Sequence, residues 1–270
     1  MDKKPATTMV RGKKGTLHLE FNPFRALSFV VHGIFTRMGG QSAAPFGSLN
    51  VGLSTGDDRQ MVEKNRQIIA ETLGNSPCIY LNQVHSDTVL VLQGSRDEYT
   101  RDTVGVQVAD ALVTNIPNLA LAIQVADCQP VLLVDPVKKV VANIHSGWKG
   151  SISNIIGKSV DAMYENFGSN PKDILAGIGP SLGPCCSEFI NYTQEIPAHL
   201  WQYKDEKDHF DFWRISQDQL INKGVAPENI TLAGVCTKCS ADAFFSYRNN
   251  NTTGRFAAII KITSTSKTGL

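Results

Sequence analysis

The chain has 270 residues, 42% of them hydrophobic and 19% charged, with a net charge of +1; that length buries a substantial core, and that composition excludes a disordered or membrane-embedded chain. The near-neutral balance creates no global field for nucleic acid or an anionic membrane, so any phosphate binding must be local. No segment reaches the roughly 18 apolar residues of a membrane span, and no apolar signal region follows the basic N-terminal stretch, which predicts a cytoplasmic protein.

Residues 1–15 carry Lys, Thr and Gly without periodicity and predict a frayed tail, followed by a single α/β domain over 16–270. Residues 28–35 (SFVVHGIF) read as a buried strand, and TRMGG opens a loop that sets Arg37 just beyond the strand end. Met61, Val62, Ile68, Ile69 and Leu73 recur at helical spacing, with Gly74 placed for a left-handed cap. Short β-rich runs follow at 79–81, 88–92, 111–113, 119–125, 131–135 and 140–144. One long helix is expected from near Gly150 to Gly168, then a strand at 174–178, a helix at 216–223 and a strand at 257–262. The outcome is mixed β-structure flanked by helices, with no internal repeat and no linker that defines a second domain.

Three segments join reactive side chains to strand patterns: NQVHSDTV, ADCQPVLLVD and NIHSGWKG. Cys128 precedes the run 131–134 and His145 follows 140–144, so an antiparallel hairpin through Asp135, Pro136, Lys138 and Lys139 brings both to one sheet edge. With His85 arriving from another strand, the donors suit zinc, with copper as competitor, and three ligands leave the open fourth position of a catalytic site.

The remaining cysteines read more plainly. CTKC (Cys236, Cys239) looks like half a zinc site or a redox pair, with no second CxxC or nearby histidine to complete it. Cys185 and Cys186 are too close for an ordinary disulfide and read as filling space beside a turn. GIGPSLG matches neither GxGxxG nor a Walker spacing and reads as a glycine-rich turn. Arg37, Lys149 and Arg248 are the anion candidates, Lys149 because it stands at an expected helix start.

Together, HGIFTRMGG, SLNVG, NQVHSDTV, ADALVT, ADCQPVLLVDP, IHSGWKG, GIGPSLGPCC, FFSYR and the later TGR resemble the YfiH-like laccase-domain family, in the family's order and over nearly the whole chain. The resemblance implies a single α/β domain of YfiH-like, cysteine-hydrolase-like fold with metal ligands at His85, Cys128 and His145. It also implies zinc-dependent phosphorolysis of adenosine, inosine, guanosine and methylthioadenosine, together with deamination of adenosine. Asn50 in SLNVG and Gln83 in NQVHSDTV join Arg37, Lys149 and Arg248 as candidate contacts to nucleoside and phosphate. Asp127 is the candidate proton donor to the departing purine. At position 149 the family usually carries Arg, and Lys keeps the charge but loses the bidentate fork. The expected partners are purine nucleosides and phosphate, with no nucleic acid or membrane, in a monomer or homodimer.

Two other enzymes share these atoms. A cysteine hydrolase would use Cys128 as nucleophile and His145 as base on amides such as those of cell-wall precursor peptides. A copper-dependent polyphenol oxidase ranks lower, because six histidines without an HxH or HCH pair are too few for a multicopper cluster. A binding module with a structural metal is the reading of a different class.

Overall fold

The apolar runs form two sheets packed face to face. The structure is a computed structural model, and residues 5–99 and 107–264 are described; residues 1–4 of the expected tail and the domain end at 265–270 lie outside these. In chain order the strands are β1 (Thr7–Arg11), β2 (Leu17–Phe21), β3 (Val30–Phe35), β4 (Cys78–Tyr80), β5 (Val89–Leu92), β6 (Ala111–Thr114), β7 (Ala120–Val125), β8 (Gln129–Asp135), β9 (Val140–Ser146), β10 (Leu175–Ile178), β11 (Ile230–Leu232) and β12 (Phe256–Ile262). The longer helices are α1 (Arg59–Thr72), α2 (Trp148–Ile152, a turn and a half), α3 (Ile155–Phe167) and α4 (Phe212–Asn222). One sheet has the order β1-β2-β3-β12-β7-β4 and the other β11-β10-β8-β9-β6-β5, each mixing parallel and antiparallel pairs.

Side-chain alternation builds the layers. On β12, Ala258 and Ile260 face the second sheet, while Ala257 and Ile259 face α1 with Ile68, Ile69 and Leu73. On β8, Leu132 and Val134 face the first sheet, while Val131 and Leu133 meet Ile155, Ile156, Val160 and Met163 of α3. The central strands are therefore covered on both faces, which is why they read as continuous apolar runs rather than as alternating ones. Each fully buried Leu, Ile or Val there contributes roughly 1.5–3 kcal/mol. Asn143 ties the two layers: its amide donates across the core to the carbonyls of Leu121 (2.9 Å) and Ala258 (2.8 Å).

The mixed α/β single domain is as expected, and several boundaries are corrected. The frayed tail is not one over its described part. Thr7–Arg11 pairs antiparallel with β2 from Thr7 opposite Phe21 to Arg11 opposite Leu17, through a tight connection with Lys14 and Gly15 at positive φ. The backbone ladder holds this edge strand, and its half-exposed side chains carry no buried-face signal. The single long helix is two, because Asn154 sits left-handed (φ 57°) and its side chain caps α3 at the Gly157 amide (3.1 Å). Helix α4 starts earlier than expected, at Phe212, where the Asp211 side chain accepts from the Arg214 amide. Gly74 is left-handed as read, and Gly168, where the second of the two helices stops, is left-handed as well. Among the described residues no helix is long and apolar enough to cross a membrane.

Candidate metal centre and its cleft

The β8–β9 hairpin sets the frame. Gln129 pairs with Ser146 and Pro130 with His145, so Cys128 and His145 lie diagonally on one face at the sheet edge. Extending the register one step sets Gly147 opposite Cys128. A Cβ there would come within 2.7 Å of His85 Cδ2 and 3.1 Å of Cys128 Sγ, so the space a side chain would fill is taken by the third member of the set. His85 stands at φ 61°, a left-handed conformation that a non-glycine residue keeps only when its surroundings enforce it.

The enforcing group is Asp110, which no sequence reading assigned a role. It is fully buried just before β6 and accepts from the amides of Val84 (3.3 Å), His85 (3.0 Å) and Ser86 (2.6 Å), the Ser86 hydroxyl (2.7 Å) and His145 Nδ1 (2.7 Å). Burial opposes its ionisation, but the bonds from His145 and Ser86 prevail and hold its pKa at about 2. Nothing in the spacing of ADALVT marks Asp110, since its donors come from a segment 24 to 26 residues earlier and from His145, 35 residues later.

With Nδ1 on Asp110, His145 presents Nε2 to the cleft, the carboxylate–histidine arrangement that orients metal ligands. Its ring meets the His85 ring edge to face at 4.8 Å, and His85 Nε2 lies 3.6 Å from Cys128 Sγ. Ligand bonds of about 2.05 Å to nitrogen and 2.3 Å to sulfur at a tetrahedral angle give an N···S separation of about 3.6 Å. The three donor atoms lie within 4.8 Å of one another, so the set fits one metal ion. Burial raises the Cys128 thiol pKa, but the facing imidazoles outweigh it and the net shift is downward. Burial lowers the His145 pKa, but Cys128 and Asp110 outweigh it and the net shift is upward.

The centre opens into a cleft of about 790 Å³ whose walls include Trp148, Phe189, Phe212 and Tyr247. That volume falls within the ordinary range of small-molecule sites. Of the expected contacts, Gln83, Asp127 and Arg248 line it. Gln83 is clamped to β7, exchanging hydrogen bonds with the Gln124 backbone (2.9 Å each). Arg248 donates to the Glu188 carbonyl (2.9 Å). Asp127, at φ 80°, accepts from the Thr237 hydroxyl (2.6 Å) and the Arg248 amide (2.6 Å), so both oxygens are used as acceptors and tie the β7–β8 connection to the one between β11 and β12.

Arg37, Asn50 and Lys149 do not line the cleft. Arg37 donates to the carbonyls of Gly47 and Ala241 (2.8 Å each) and lies over Phe245. Asn50 is fully buried and accepts from the Gly52 and Arg255 amides. Lys149 is exposed, its ammonium 5.4 Å from the centre of the Trp148 ring. A second cleft guanidinium, Arg255 of TGR, went unread because its position depends on Asn50, far away in sequence.

GIGPSLG is a glycine-rich turn as read. Its amides at Gly179, Ser181, Leu182 and Gly183 are spent on Pro130, Val235, Asp127 and Cys236, which leaves them no role in cradling a phosphate. The reading of CTKC as an uncompleted half-site is overturned: Cys185 and Cys186 stand against it, and the four sulfurs lie within 4.8 Å of one another.

The family model described as multi-copper polyphenol oxidoreductase laccase matches residues 31–263. Purine nucleoside phosphorylase YlmD of Bacillus subtilis is 34% identical over 244 residues, covering 86% of this chain and 88% of its own. Purine nucleoside phosphorylase YfiH of Escherichia coli is 35% identical over 235 residues, covering 83% and 90%. The crystal structure of YlmD from Geobacillus stearothermophilus superposes with a TM-score of 0.82 at 30% identity, over 96% of this chain and all of that one. The chain belongs to the YfiH-like laccase-domain family.

Proposed function

We propose that this protein is a purine nucleoside phosphorylase whose centre at His85, Cys128 and His145 holds zinc. The observation that carries the reading is the position of that centre, at the floor of a cleft lined by Trp148, Phe189, Phe212 and Tyr247 and by the guanidinium groups of Arg248 and Arg255. Aromatic walls suit a purine, and arginines suit phosphate. Relatives named purine nucleoside phosphorylase, matched over most of their length, support it. Zinc at an open site would supply Lewis-acid polarisation.

In phosphorolysis a phosphate oxygen bonds to the ribose anomeric carbon while the bond from that carbon to the purine nitrogen breaks. The electron pair leaves with the base, which takes up a proton. Arg248 and Arg255 orient the phosphate, and Gln83, fixed to β7, bounds the sugar pocket. Asp127 acts as a positioning residue rather than the proton donor, because its carboxylate accepts two hydrogen bonds and holds the β11–β12 connection that carries both Thr237 and Arg248. The nucleoside range is adenosine, inosine, guanosine and methylthioadenosine, and adenosine deamination is a second activity of the same site. The thiols suit the reducing cytoplasm.

Chromatography of purified, zinc-loaded protein incubated with adenosine, with and without phosphate, tests the reading. Adenine and ribose 1-phosphate appear only with phosphate, and inosine appears in either case. No product from any purine nucleoside sinks the proposal.

A cysteine hydrolase is the second reading, favoured by the lowered thiol and raised imidazole pKa values of the Cys128–His145 pair, as in a thiolate nucleophile with its base. Amide cleavage by metal-free protein, with substrate trapped on Cys128, selects it; stoichiometric zinc lost on Cys128→Ala selects the metal centre. A multicopper oxidase is not favoured, since among the described residues His85 and His145 are the only histidines in a cluster able to hold a metal.

A further inference from the structure

Cys185 and Cys186 follow β10, and Cys236 and Cys239 follow β11, strands that pair in parallel so that both loops leave the sheet at the same edge. The bridge between Ser181 and Cys236 continues that pairing past the strand ends. The Sγ atoms of Cys185 and Cys186 each lie 3.6 Å from that of Cys239, and all four sulfurs lie within 4.8 Å of one another. A disulfide requires about 2.05 Å. Four sulfurs about 2.3 Å from a central zinc at tetrahedral angles stand about 3.8 Å apart, close to the separation seen here. The Gly183 amide donates to Cys236 Sγ (3.3 Å), and the Cys239 backbone also hydrogen-bonds to it, as in a metal-binding turn closed over its first cysteine.

We propose that Cys185, Cys186, Cys236 and Cys239 form a structural tetrathiolate zinc site, separate from the His85–Cys128–His145 centre, that joins the loop after β10 to the loop after β11. Four protein ligands leave no open position, so this ion takes no part in chemistry. Its work is mechanical. The loop after β10 continues through Glu188 and Phe189 into the cleft wall, and the loop after β11 carries Thr237, which donates to Asp127 beside Cys128. Arg248 spans both, donating through its side chain to the Glu188 carbonyl and through its backbone to Asp127. Since metal binding by such a set contributes directly to folding free energy, the ion fixes a cleft wall that has only short elements of its own. The inference stands whether the catalytic centre is a phosphorylase or a hydrolase.

The test uses the full-length Cys128→Ala chain, prepared under reducing conditions, dialysed against zinc chloride and freed of excess metal. It retains about one zinc per chain, a mercurial thiol reagent releases that zinc, and cobalt substituted for it shows thiolate-to-metal charge transfer. Adding Cys239→Ser abolishes the retained equivalent. In wild type, zinc protects Cys185, Cys186, Cys236 and Cys239 from alkylation, in a measurement that requires no variant to fold. The proposal is overturned if folded Cys128→Ala retains no stoichiometric zinc, if zinc leaves the four thiols as reactive as before, or if peptide mapping of anaerobically isolated protein finds a disulfide among them.

Discussion

Asp110 receives five hydrogen bonds on two carboxylate oxygens, and that saturation determines what its substitution does. Asp110→Asn turns one oxygen into an amide that faces N–H and O–H groups, leaving buried donors unpaired at a cost of about 1–3 kcal/mol. Urea denaturation measures that loss, and zinc titration shows affinity falling roughly 10–100-fold as His145 loses its orienting partner. An unchanged zinc affinity removes Asp110 from the centre. Because the folded pKa of Asp110 is depressed to about 2, its contribution to stability is complete above the unfolded value of about 3.9 and is lost as pH falls through the folded value. In metal-free protein the share of the wild-type advantage over Asp110→Asn that comes from this charge is therefore lost between about pH 4 and pH 2, a trend that denaturation at stepped pH follows. Gly147→Ala places a methyl 2.7 Å from His85 Cδ2 and 3.1 Å from Cys128 Sγ. Metal content per folded chain drops well below that of wild type, and full occupancy by elemental analysis contradicts the packing described for the centre.

At the scale of elements, the edge strand β1 and the break before α3 make the sharpest expectations. Deleting residues 1–11 removes β1 and exposes the hydrogen-bonding edge of β2, so the melting temperature falls and the protein gains a tendency to associate. Calorimetry with light scattering checks both, and a truncated chain that melts like the parent and stays monodisperse shows β1 to be dispensable. Asn154 carries a left-handed backbone and the α3 cap together. Asn154→Ala loses both, at about 1–3 kcal/mol, while Asn154→Gly keeps the backbone freedom and costs only a few tenths for the cap. Comparing the two denaturation midpoints separates the contributions.

For the whole molecule, a metal held at the proposed centre would tie folding to the site. His85 and Cys128 come from connections between strands of different sheets, and Asp110 and His145 come from the second sheet, so an ion at the centre stabilises the packing of both layers. Chelation lowers the melting temperature, and zinc at a free concentration 100 times the dissociation constant raises it again by adding about 2.7 kcal/mol of stability. A melting temperature indifferent to chelator and zinc excludes this coupling. Asn143 supplies the metal-independent link between sheets through Leu121 and Ala258, and Asn143→Ala weakens the fold by about 1–3 kcal/mol whether or not metal is bound.

The sequence by itself determined the strands of the double-sided core, the Gly74 cap, the helix end near Gly168 and the hairpin that aligns Cys128 with His145. These rest on local signals: apolar periodicity, turn residues, and a register fixed by a short connection. Three kinds of feature were decided only by the tertiary structure. Strand β1 is held by backbone pairing rather than by a buried face. Asp110 is set beside His85 and His145, and Arg255 in the cleft wall, by groups far away in the chain. Arg37, Asn50 and Lys149, reasonable as anion or substrate contacts by type and position, lie away from the cleft because backbone carbonyls, buried amides and a Trp face claim them instead. The two cysteine pairs illustrate the same division. Spacing within each pair is short and legible, but the distance between the pairs depends on β10 and β11 lying side by side, and pairing between strands some fifty residues apart is decided by the global packing of the sheet rather than by local sequence.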